Sequence, residues 1–142
     1  MDLKKLPWWK NANSFQYLSR DIFYDRIRQV PLNINLATSF LDNWVSKFSL
    51  THTNAFYGRI WQTDCLNHDK WGYGFNHFLI KINANITLEE QAISLVHESM
   101  HGIYRAGRGN KIERIVEAVS SKFYEDNKDI FNKDFVKYYL QR

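Results

Sequence analysis

Apolar positions recur at three- and four-residue spacing through residues 87–106, TLEEQAISLVHESMHGIYRA, where Ile93, Val96, Met100 and Ile103 fall on one stripe. That period predicts a helix with one face in the core. Thr87 and Glu90 have capping-box spacing and mark its start, and Gly107 supplies a stop. A second amphipathic run follows, with Asn110 as cap, Glu113 in a capping role, and Ile112, Ile115, Val116, Val119 and Phe123 on the buried side. The link between the two runs is short enough to return the chain antiparallel.

Upstream, Phe15, Leu18 and Ile22 predict a helix over residues 14–29 that ends before Pro31. Asn35 caps a further predicted helix whose wide apolar face runs through Leu36, Phe40, Leu41, Trp44, Val45 and Phe48. From Ala55 the period becomes two, with Phe56, Gly58 and Ile60 on one face of a predicted strand. Residues 63–72 read as a loop, and Phe78, Ile80 and Ile82 alternate in a second strand. Residues 129–140 suit a short last helix, while residues 1–13 form an extended lead-in. Its Trp8 and Trp9 either cover apolar surface or plug a cleft. The expectation is an α+β fold with N-terminal helices, a small, mainly antiparallel sheet and a closing helix pair. A strand edge near that pair suits an extended peptide, which can add by main-chain hydrogen bonds.

A chain of 142 residues is expected to form a single domain over residues 1–142, with its motif-bearing core at about 55–126, large enough to bury about two-thirds of its surface unaided. Cys65 is the one cysteine, which excludes an intrachain disulfide and leads to the expectation of a cytoplasmic location. No segment resembles a signal peptide or a membrane span. The net charge of +4 is spread along the chain, so a nucleic-acid partner is not expected. The basic turn Arg105, Arg108 and Lys111 reads as solvated.

The helix over residues 87–106 also carries His97-Glu98-Ser99-Met100-His101. Residues four apart on a helix are about 6 Å apart along its axis and nearly in line around it, so both imidazoles face one point, as a single zinc ion requires. Glu98 flanks that stripe, where a carboxylate reaches a metal-bound water without itself coordinating. A catalytic zinc takes three protein ligands, and the next helix offers candidates for the third: Glu117, level with His101, then Glu113, with Glu125 or no protein ligand as further options. His68 and His77 are weaker candidates that lie in or beside the strands.

HExxH followed by a helix containing Glu117-Ala118 resembles the gluzincin zinc metallopeptidases, the thermolysin-like group. The span from Ile80-Lys81-Ile82-Asn83 through Leu95-Val96-His97-Glu98 is similar to the ImmA/IrrE family and the minimal gluzincins. The resemblance covers about residues 78–125 and implies a small zincin-like fold, zinc held by His97, His101 and Glu117, and Glu98 as general base. Thermolysin-like members commonly carry an acidic residue four positions after the ligand glutamate, where it orients a zinc histidine. Here that position is Ser121, which implies a weaker second shell.

The expected chemistry is peptide hydrolysis, in which zinc acidifies a water and Glu98 takes its proton. Tyr104, one turn beyond His101, and Tyr124, on the Glu117 face, are candidate oxyanion donors. The competing expectation is a zinc-binding regulatory or interaction module whose peptidase is latent or confined to one partner.

Overall fold

The computed structural model describes residues 3–8, 20–51, 62–65, 78–105 and 109–140. Helices carry most of them: a 3-10 turn at Leu3–Lys5, then α1 (Arg20–Gln29), α2 (Ile34–Asn43), α3 (Leu88–Tyr104), α4 (Asn110–Asp126) and α5 (Lys133–Leu140). Three strands, β1 (Val45–Thr51), β2 (Gln62–Cys65) and β3 (Phe78–Asn83), form one sheet in the order β1-β3-β2. β3 pairs parallel with β1 and antiparallel with β2, so the sheet is mixed and not mainly antiparallel.

Two departures from the sequence expectation concern β1 and β2. The expected helix through Phe48 stops at Asn43, capped at its start by Asn33, whose Oδ1 accepts from the Leu36 amide at 2.8 Å. Beyond it, Val45 and Phe48 are both buried on a strand whose register shifts between Val45 and Lys47. A bulge puts residues three apart on the same face, which along the chain looks like helical spacing. β2 occupies positions read as loop, while the strand expected from Ala55 to Trp61 lies outside the described residues.

α3 runs through the middle of the core. Its Leu95, Val96, Met100 and Ile103 are almost wholly buried, as are Phe23 of α1, Leu36, Phe40 and Leu41 of α2, Ile80 and Ile82 of β3 and Val116 of α4. α5 docks through a run of rings from Phe123 to Phe131, Phe135, Tyr139 and Phe48, with successive centroids 4.1–5.3 Å apart. Among the described residues, no helix is long and apolar enough to cross a membrane.

α2 and α3 approach closely beside the histidine stripe. A Cβ placed on Gly102 would lie closer than 3.0 Å to Cζ, Cε1 and Cε2 of Phe40, a ring fully enclosed by its neighbours. Glycine costs helix stability of about 1 kcal/mol relative to alanine, yet any side chain here would force α2 and α3 apart. Gly102→Ala is expected to lower unfolding free energy by about 1–3 kcal/mol, because overpacking outweighs the propensity gain. Denaturant unfolding measures this, and adding Phe40→Leu should recover part of the loss.

Candidate metal centre

α3 begins where its sequence says, with Thr87 Oγ1 accepting from the Glu90 amide at 3.1 Å. Gln91 then reaches back from the first turn to the carbonyls of Asn83 and Ile86 at 3.5 and 3.4 Å, tying the helix to β3. These anchors set the rotation of α3, and with it the direction of His97, Glu98 and His101.

The two imidazoles converge. His97 Nε2 and His101 Nε2 are 3.3 Å apart, with side chains only 12% and 10% exposed. In a tetrahedral site with metal–nitrogen bonds of about 2.0–2.1 Å, two ligand nitrogens stand about 3.3–3.4 Å apart. The spacing of the pair therefore fits one shared metal ion. Glu98 is 3% exposed, and donor atoms of His97, Glu98 and His101 all lie within 4.8 Å of one another. This buried His-Glu-His group could hold a metal ion.

α4 packs antiparallel against α3 and brings two carboxylates to the same place. Glu113 forks, with Oε2 2.9 Å from His97 Nε2 and Oε1 2.9 Å from His101 Nε2. Glu117 approaches from the other side of the His97 ring, its Oε2 3.0 Å from Nδ1. The two glutamates thus meet different nitrogens. Burial raises the Glu113 pKa, but hydrogen bonds from His101 and His97 and their charge override it, holding the carboxyl well below the usual range.

Glu113 was expected to cap α4, and it does not. Gly109 stands at the N-cap without a side-chain bond, Asn110 is already helical, and Glu113 is turned toward α3. The sequence signal that identifies it is the pairing of spacings. Glu113 and Glu117 are four apart, as are His97 and His101, so antiparallel helices can oppose two acids to two imidazoles.

The remaining candidates lie elsewhere. Tyr104 is fully buried and donates its hydroxyl to the Val30 carbonyl at 2.6 Å, and burial pushes its pKa upward. Tyr124 is also buried, with Glu89 of the first α3 turn among the charges acting on it, at the opposite end of the helix from His101. Neither hydroxyl is brought to the imidazoles. Ser121 lies one turn beyond Glu117 on α4, and the carboxylate against His97 Nδ1 is that of Glu117.

Gly107 does not end α3. Arg105 does so, in the left-handed conformation with φ of 54° and only 1% exposed, so of the basic residues read as solvated Arg105 is buried while Lys111 is exposed. Trp8 is buried against Tyr104, which makes it core and not a plug. His68, His77 and Trp9 lie outside the described residues, as do Gly107 and Arg108. The chain matches no protein-family model, no curated protein and no solved structure.

Metal titration tests the centre directly. The unaltered chain is expected to take up one divalent ion per molecule, and His97→Ala and His101→Ala are each expected to abolish stoichiometric binding. Elemental analysis after gel filtration measures both results.

Proposed function

We propose that the chain is a zinc-dependent metallopeptidase of gluzincin type, with a small zincin-like α+β fold and Zn2+ as its cofactor. One observation carries the reading: the Nε2 atoms of His97 and His101 stand at the edge length of a tetrahedral site, with an acidic side chain forked across them. Imidazole and carboxylate together suit zinc.

In this reading His97, His101 and Glu113 hold the ion, and Glu117 is the carboxylate that fixes the tautomer and plane of His97 through Nδ1. The forked contact of Glu113 with both Nε2 atoms, set against the single Nδ1 contact of Glu117, supports this division of roles. It moves the third ligand one turn upstream of Glu117, the position that the resemblance implies. With Glu113 as ligand, the acidic residue four positions later is Glu117, the spacing that Ser121 does not meet after Glu117. A carboxylate on the distal nitrogen of a ligand histidine raises its basicity and holds its ring.

Bound zinc would supply Lewis acidity and lower the pKa of a water from 15.7 toward about 7. Glu98 has the chemistry to take that water's proton at its carboxylate and return it to the departing amine nitrogen. Its position supports that role: Glu98 is buried, with a carboxylate oxygen within 4.8 Å of the imidazole nitrogens that would hold the ion. β2, an edge of the described sheet packed beside α3, supports an extended peptide as substrate.

Glu98→Gln is expected to keep zinc and lose about 10²–10⁴-fold in peptide cleavage, measured on a quenched-fluorescent peptide library. Undiminished cleavage in that variant would exclude the mechanism. Bound zinc without cleavage of any library peptide by the unaltered chain favours the regulatory or interaction module. Glu113→Ala is expected to release zinc to a chelator far more readily than Glu117→Ala, whose affinity should fall by about 10–100-fold. The reverse order returns the ligand role to Glu117.

A further inference from the structure

The C-terminal turn of α3, which carries His101, is gripped by Trp8, Arg26 and Val30. A helix ends with four carbonyls that lack intrahelical partners. Here the Ile103 carbonyl accepts from Trp8 Nε1 at 3.1 Å. Arg26 Nη1 donates to the Tyr104 carbonyl and, at 3.4 Å, to that of Arg105. Arg105 in turn closes the turn, its backbone N–H donating to the carbonyl of His101 itself. Hydrogen bonds thus lead from a guanidinium on α1, through one residue, to the backbone of a candidate metal ligand.

The gripping groups also hold one another. The Trp8 and Tyr104 rings stack with centroids 6.0 Å apart, and the Arg26 guanidinium lies 5.3 Å from the centre of the Trp8 ring. Tyr104 closes the loop by donating to Val30, at the end of α1. The left-handed region is disfavoured for any residue with a Cβ, so Arg105 keeps its conformation because its surroundings impose it. A cation at a helix C-terminus is also favourable in itself, by opposing the partial negative charge there.

We propose that Trp8 and Arg26 are positioning residues for the metal centre, acting through the Arg105 turn to hold His101 at its spacing from His97. The proposal rests on the metal reading of the site. Glu113 braces both imidazoles and Glu117 adds a contact at His97 Nδ1, while the backbone of His101, one turn from the helix end, also accepts the Arg105 N–H and so shares the geometry of that turn. The N-terminal arm therefore tunes metal affinity without touching the ion.

The test uses the full chain with Trp8→Phe, which keeps a ring and removes only the indole N–H, Arg26→Met and Arg26→Lys. Circular dichroism establishes that each is folded, and Zn2+ competition with a chelator and the visible spectrum of the Co2+ form report on the centre. Trp8→Phe and Arg26→Met are expected to weaken metal binding by about tenfold and to alter the Co2+ spectrum, with Arg26→Lys in between. Hydrogen exchange at the Arg105 amide is expected to quicken in both, with or without metal. Unchanged affinity and spectrum in folded Trp8→Phe overturn the proposal, whatever the behaviour of Arg26→Met. A chain that takes up no metal before any substitution overturns the metal reading instead, and the exchange measurement still reports whether the grip exists.

Discussion

The Nε2 atoms of His97 and His101 approach to 3.3 Å on side chains almost withdrawn from water, and Glu113 braces the pair by reaching both. The contact sets more than the site. It fixes how far α4 slides along α3, because a shift of one residue would rotate the carboxylate off the histidine stripe. The buried contact between Ser120 Oγ and Met100 Sδ at 3.3 Å depends on the same alignment. So does the packing of Ile112, Ile115 and Val116 against the core. Polar pairing and apolar packing thus demand one arrangement of the two helices.

α3 carries this chemistry because it is restrained at both ends by different parts of the chain. Thr87 and Gln91 bind its first turn to the end of β3, and residues from the N-terminal arm and α1 satisfy its last carbonyls. Between those anchors, Phe40 of α2 rests on the bare backbone at Gly102. A helix held so closely keeps its side chains in defined directions, which binding several groups to one small ion requires.

The sequence revealed most where the information was local. The cap at Thr87, the apolar stripe of α3 and the convergence of His97 and His101 all follow from spacing along one helix, and the structure has each of them. Legibility failed where position depends on contacts remote in sequence. Arg105 reads as a solvated cation, yet it is buried by segments more than seventy residues upstream. Val45 and Phe48 mimic a helical period because a bulge set by pairing with β3 changes their phase. In the sequence Glu113 stands second to Glu117 among the third-ligand candidates because a capping role on its own helix fits the residue type, whereas its partners lie across the helix interface.

The bond from Trp8 to Ile103 spans 95 positions and that from Tyr139 to Asp42 spans 97, whereas His97 and Glu113 are 16 apart. On the ribosome, the hairpin bearing the imidazoles and acids is a neighbourly structure that can close soon after it emerges. The bond from Tyr139 to Asp42 waits for α5, the last helix made, whereas Trp8 is already present when Ile103 emerges. α5, the last element made, accordingly docks onto a hairpin whose acids and imidazoles have their partners close by in sequence, so completing the core and pairing the two helices are separable steps.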